Sequence, residues 1–205
     1  MSGTMKKEIK LFVLVSFCTL AVLAILVGCE SSPPSEEMTV TGFLSDYSGL
    51  EPISDTSYRY VNPKYALGNY GSFIVDPVKI IFNEQTKAKV KSWEDLEKLR
   101  AYMRRALIDA LEHRYNAVAA RPGPGTVRVR IALTSIERSA PLKLGGVSME
   151  LELVDTQTGE QIAALIESQK KGVPLYGYDP WSGAKAVMDD WAKRFYSRVE
   201  EARGY

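Results

Sequence analysis

Three runs in the C-terminal half repeat apolar residues at every second position, and two longer stretches repeat them at every third or fourth. That pairing of periods most limits what the chain can become. Val127, Val129, Ile131 and Leu133 alternate with Arg128, Arg130, Ala132 and Thr134, and Val147, Met149, Leu151 and Leu153 alternate with Ser148, Glu150 and Glu152. Successive side chains of a strand point to opposite faces, so each run predicts a half-buried strand. A third strand is expected over Gln161 to Ser168, after Asp155-Thr156-Gln157-Thr158-Gly159-Glu160. That linker has the chemistry of a tight hairpin, with Gly159 free to take a positive φ. If Asp155 opposes Glu160, then Leu153 faces Ile162, Leu151 faces Ala164 and Met149 faces Ile166. Glu150, Glu152 and Glu167 then share the opposite face, and a slip of one residue would turn an apolar set outward.

The helical stripes flank these strands. Ser92-Trp93-Glu94-Asp95 reads as a helix start, with Ser92 as N-cap and acids in the first turn. Leu96, Leu99, Met103, Leu107, Leu111 and Val118 follow on one face, and Arg121-Pro122-Gly123-Pro124-Gly125 ends the helix. Near the C-terminus, Asp179-Pro180 predicts an N-cap followed by Pro at the first helical position. Trp181, Ala184, Met188, Trp191, Phe195 and Val199 continue as its apolar face. An additional strand is expected over Ser72 to Phe82, at a sheet edge or with a bulge because Pro77 lies inside it. Residues 39 to 72 have no sustained period and many turn formers, with a short strand expected at Ser57 to Val61. The expected fold is α+β: a small, mostly antiparallel sheet of about four strands, two amphipathic helices on one face, and an irregular Tyr-rich segment before them.

The N-terminus carries a different message. Lys6, Lys7 and Lys10 precede an uncharged apolar run from Leu11 to Val27, and Leu26-Val27-Gly28-Cys29 leads into Glu30-Ser31-Ser32-Pro33-Pro34. A charged start, an apolar core and a small residue before the cut site predict a secretory signal over residues 1–28. The last four residues resemble the lipobox of bacterial lipoproteins. That resemblance implies a diacylglyceryl thioether on Cys29 and a membrane partner reached through that lipid. Composition predicts a flexible tether over 29–38, and the remaining length suits a single domain over 39–205. Glu30, rather than Asp, after the cysteine implies the periplasmic face of the outer membrane over the inner one. The chain has two cysteines, Cys18 and Cys29. With one in the signal and the other lipidated, thiol chemistry and disulfides are excluded from the domain.

Charge and motif content narrow the function by exclusion. Removing the signal leaves 23 basic against 24 acidic residues, a balance that argues against nucleic acid as a partner. The lone histidine, His113, falls on the solvent side of its helix, so neither a Ser-His-Asp triad nor a multi-histidine metal site is expected. No cofactor motif is present and no cofactor is expected. Asp46, Glu51, Asp55 and Asp76 are the acids nearest the irregular segment, and spacing does not place two of them at the separation glycan hydrolysis needs. Asp46 and Asp55 read as turn caps, and Asp76 as a partner for backbone at Pro77. Arg128, Arg130, Glu150 and Glu152 read as solvated strand faces.

The irregular segment holds Tyr47, Tyr58, Tyr60, Tyr65 and Tyr70, and Tyr176 and Tyr178 precede the last helix. Tyrosine offers a rigid apolar face with a polar tip, so the first five form a candidate binding surface. The competing reading is that they glue the segment to the sheet.

Thr41-Gly42-Phe43-Leu44-Ser45-Asp46-Tyr47-Ser48-Gly49-Leu50, with Asp76-Pro77-Val78 later in a strand, resembles the opening of a bacterial lipoprotein family known as domain of unknown function 3313. The resemblance spans roughly residues 41 to 200 and implies a location without an activity. The expectation is a non-enzymatic lipid-anchored envelope protein, an accessory or assembly factor that binds a protein partner. The alternatives are a peptidoglycan- or glycan-binding module and a hydrolase acting on wall material.

Overall fold

A computed structural model describes residues 40–87, 92–115, 119–140, 143–172 and 179–204. The signal, Cys29, the tether, Val118, Tyr176 and Tyr178 lie outside these, as does the side chain of His113. The strands are β1 (Glu51–Ser54), β2 (Ser57–Val61), β3 (Ser72–Val75), β4 (Lys79–Ile80), β5 (Thr126–Glu137), β6 (Gly145–Asp155) and β7 (Gln161–Lys171). The helices are α1 (Glu84–Lys87), α2 (Trp93–Tyr115) and α3 (Ser182–Ala202).

The strands form one mixed sheet of seven in the order β1-β2-β7-β6-β5-β3, with β4 also on β5. This corrects the expected four-strand sheet in two ways. β2 is the short strand expected at Ser57 to Val61, but it joins the sheet with a further strand, β1, and the strand expected over Ser72 to Phe82 is two. β3 pairs with Ser72 opposite Thr126, and β4 resumes with Lys79 opposite Ala132, both parallel to β5. Pro77 has no N–H to continue the ladder, so the break falls there, at the sheet edge as expected. Arg104 of α2 donates from Nε and Nη2 to the Val75 carbonyl at 3.1 and 3.0 Å, closing the end of β3. Parallel pairing requires the crossover through α2, which antiparallel expectations did not include.

Both helices lie on one face, as their stripes require. Ser92 Oγ accepts from the Asp95 N–H at 3.1 Å, and Leu96, Leu99, Met103, Leu107 and Leu111 are all buried. The second helix begins two residues later than expected. Asp179 accepts from the Trp181 N–H at 2.9 Å and from Lys185 Nζ at 2.8 Å, and Ser182 opens the helix. Ala184, Met188, Trp191 and Val199 join Val127, Val129, Ile131, Leu133, Met149, Leu151 and Leu153 in the larger core.

The β6–β7 register overturns the expected one. Val154 opposes Gln161 near the turn, but Leu153 opposes Ala163, Leu151 opposes Leu165 and Met149 opposes Glu167. The cause is a bulge between Leu153 and Val154 that leaves Ile162 without a partner and buried in the helix-side core. Gly159 takes φ 75°, as the loop requires. Parity did not protect the register because both faces of this sheet are buried. After the slip Ala164 and Ile166 enter a second core, while Glu167 moves to the helix side and pairs with Arg194 at 2.7 Å.

That second core lies under residues 41–50. Phe43 and Leu44 pack with Ala132, Ala164 and Ile166, flanked by Tyr47, Leu50, Tyr58, Tyr60 and Ile81. Glu150 and Glu152, expected in solvent, are both 0% exposed on this face. Met38–Tyr205 is one compact unit, and both cores fall within it.

Candidate functional site

Two places concentrate polar chemistry: the buried glutamates of β6 and an open cleft beside α3. The glutamates sit at alternate positions of one strand, so both face the N-terminal segment. Glu150 accepts from the Thr41 N–H at 2.7 Å and from the Tyr47 hydroxyl at 2.5 Å. Glu152 accepts from the Ser45 N–H at 2.8 Å, the Ser45 hydroxyl at 2.7 Å and Gln161 Nε2 at 2.9 Å, and it pairs with Arg130. Arg130 also stacks 5.1 Å over the Phe43 ring. A buried carboxylate is tolerable when its lone pairs are met by donors and a cation, and every one of these contacts is internal. The pair therefore clips the Thr41–Leu50 decapeptide to the sheet. Arg128, the other expected surface charge, pairs with Asp76 at 2.7 Å on the same face.

The five tyrosines do not form one patch. Tyr47, Tyr58 and Tyr60 are half-buried against the smaller core, and Tyr65 is half-buried against the larger one. Tyr70 is buried and donates to Asp155 at 2.7 Å. Tyr65 donates to Glu160 at 2.8 Å. Burial, and then the hydrogen bond to Glu150, pushes the Tyr47 phenol above its ordinary value. Burial, with the bond to Asp155, raises that of Tyr70 further. For Asp155 burial acts upward, but donation from the Thr158 N–H, the Tyr70 hydroxyl and the Gln157 N–H outweighs it, so the carboxyl lies below its ordinary value. Asp46 caps its turn as expected, accepting from the Ser48 N–H at 2.8 Å.

The cleft arises because the sheet is wider than the two helices. α3 packs on β6 and β7, while β1 and β2 add no apolar side chain to the helix-side core. The result is a cavity of about 360 Å³ between α3 and the outer strands. Its floor includes Leu151, Leu153, Ala163 and Leu165, and the small side chain of Ala163 leaves room above β7. Trp191, Arg194, Phe195 and Arg198 line it from one stripe of α3, and Ser57, Arg59 and Val61 line it from one face of β2. Ile53 and Val61 at its rim are 49% and 57% exposed. Ser57 Oγ and Trp191 Nε1 are buried without a hydrogen-bond partner among the described residues.

Sequence reasoning read Trp191 and Phe195 as core and did not single out Ser57, Arg59, Arg194 or Arg198. The available signal was the position of Arg194 and Arg198, three and seven residues after Trp191 on a stripe otherwise apolar. Among the described residues, no group of three or more His, Cys, Asp or Glu is placed to hold a metal, and no helix is long and apolar enough to cross a membrane.

The family described as "Protein of unknown function (DUF3313)" matches residues 39–195. No curated protein matches the chain. Among solved structures, the chain is similar to the PelC dodecamer from Paraburkholderia phytofirmans, at 11% identity and TM-score 0.45, covering 70% of this chain and 96% of that one. It is similar to protein XCC0632 from Xanthomonas campestris at 11% identity and TM-score 0.44, covering 71% and 94%. Lipoprotein GNA1162 from Neisseria meningitidis aligns at 12% identity and TM-score 0.27, covering 62% and 96%.

Proposed function

The chain belongs to the family of proteins of unknown function DUF3313, and from that premise we propose a lipid-anchored, non-enzymatic accessory or assembly factor of the cell envelope that works by binding at the cleft beside α3. Anchoring rests on the signal, the Gly28-Cys29 junction and the polar tether, with the periplasmic face of the outer membrane favoured by Glu30. The observation that carries the binding reading is the cleft: a mostly apolar cavity of about 360 Å³ with a few polar groups at its border, within the range of small-molecule sites. A non-enzymatic role is supported by the engagement of the buried carboxylates. Glu150 and Glu152 are held by the chain's own donors, and a general acid or base must instead reach a substrate. A peptidoglycan- or glycan-binding role would use tyrosine ring faces in solvent; Tyr70 is buried, and half-buried Tyr47, Tyr58, Tyr60 and Tyr65 divide between two cores rather than forming one platform.

The test is photo-crosslinking in cells, with benzoylphenylalanine at Val61 on the cleft rim or at exposed Trp93 at the start of α2. Irradiation is expected to give a discrete adduct from Val61 and none from Trp93. No adduct from Val61, or the same adduct from both, overturns the cleft as the binding site.

A further inference from the structure

We propose that the cleft binds a single acyl chain ending in an anionic head, the chemistry of a fatty acid or another one-chain membrane lipid; this rests on the cleft being the binding site. Three observations lead there. The first is size and lining. At about 360 Å³ the cavity lies near the lower end of the roughly 300–1,000 Å³ typical of ligand sites. It has room for one chain and not two, and Leu151, Leu153, Leu165 and Phe195 supply an apolar wall.

The second is charge. Three arginines line the cleft against one carboxylate, Glu167. Arg194 is held by Glu167 at 2.7 Å. Arg59 and Arg198 have no ion-pair partner among the described residues, so the surplus is positive. A guanidinium at the mouth of an apolar cavity matches a carboxylate or phosphate and opposes a cationic head.

The third is that two of the three buried side-chain atoms without partners among the described residues belong to cleft residues, the other being Thr41 Oγ1. Trp191 is 3% exposed and its Nε1 only donates, and Ser57 is 6% exposed with a hydroxyl that can donate. Leaving a buried donor unmet costs about 1–3 kcal/mol. Both belong to residues that line the cavity, but each atom is sealed from water, so a side-chain rotation is needed before a ligand's acceptor oxygens reach them, and size and charge carry the proposal. A purely apolar peptide segment would bring carbonyl acceptors but not the charge.

The experiment is titration calorimetry of the globular unit, residues 38–205, which contains both cores. The probe is dodecanoate below its micelle concentration, compared with dodecyltrimethylammonium, which has the same chain and the opposite charge. Saturable one-to-one binding of dodecanoate is expected, with at least tenfold weaker binding of the cation. The Arg59→Ala, Arg198→Ala double variant should lose at least tenfold in affinity with an unchanged melting temperature. Ala163→Phe should fill the floor and abolish binding; should that variant fail to fold, the arginine pair decides alone. Absence of saturable dodecanoate binding, equal binding of the cation, or indifference to the arginines overturns the proposal. If dodecanoate fails while Val61 still crosslinks to a protein, the lipid inference falls and the cleft stands as a protein-binding site.

Discussion

On the helix side of the sheet, α2 and α3 lay Leu99, Met103, Leu107, Met188 and Trp191 onto Val129, Ile131, Met149 and Leu151, and the contact is almost wholly apolar. On the other side, ten residues without regular structure cover the sheet with Phe43 and Leu44 plus a set of hydrogen bonds to two buried carboxylates. The first cover is non-directional, and its strength follows the area removed from water. The second depends on geometry, since a buried charge is tolerated only while every donor stays in place. One sheet thus shows two ways of burying a face, and they should fail differently.

The largest expected difference comes from Glu152→Ala set against Met103→Ala. Removing Glu152 takes the shared acceptor from Arg130, Ser45 and Gln161; Arg130 keeps 29% of its side chain in water, so the cost is expected at about 3 kcal/mol, the lower end for breaking a buried pair. Met103→Ala should cost about 2–5 kcal/mol through a cavity. The sharper contrast is repair. Replacing Met103 with Leu should restore most of that loss, whereas Glu152→Gln should restore little, because the partner of Arg130 must be charged. Urea midpoints of the four variants decide it, and a Glu152→Ala cost under about 1 kcal/mol would make the clip ornamental.

A smaller effect tests how closely the segment fits. A Cβ at Gly49 would stand 2.5 Å from the Tyr60 ring, too close for contact. Gly49→Ala should therefore destabilise by about 1–3 kcal/mol through overpacking, and Gly49→Ala with Tyr60→Leu should regain part of it. If the single variant is neutral in thermal melting, the segment has slack that the helix side lacks.

These contrasts follow the line between what the residues disclosed and what they hid. Val127, Val129, Ile131 and the Leu96-to-Leu111 stripe disclosed the helix-side core because local period alone assigns a face. Glu150 and Glu152 alternate just as well with Met149 and Leu151, and period gave no sign that their face was also covered. Their donors, Thr41, Ser45 and Tyr47, lie more than a hundred residues away, and no local rule connects them. The register failed for the same reason. With one face assumed polar, only one pairing buries the apolar residues; with both faces covered, Ile162 can bulge and β7 can shift at little cost. The candidate tyrosines were visible as residues, but not as contributors to two separate cores. The cleft was invisible because it comes from a mismatch between sheet width and helix cover.

The smallest expected effect concerns pH and sets the helix side's polar anchor against the clip. Asp155 has its folded pKa depressed below the ordinary 3.8. Its contribution is fully present above the unfolded value and is lost as pH falls through the folded one. Asp155→Asn should thus cost about 1 kcal/mol near neutral pH, and the gap from the parent chain should close below about pH 4. Urea midpoints at pH 6 and pH 3 measure it, and a gap that widens in acid would reverse the assignment.

The clip also sets an order of events. Thr41, Ser45 and Tyr47 are made and delivered before every strand they close, yet their carboxylate partners come 103 to 109 residues later in the chain. Contacts at such separation pay their loop-closure entropy late. By this argument the opening decapeptide, like the β2–β7 pairing at similar separation, settles late. Until it does, Ala132, Ala164, Ile166 and two carboxylates that end up sealed stand open to water on their face of the sheet. Of the two sides, this unfinished one is where a newly made chain is most exposed to chaperones, proteases and copies of itself.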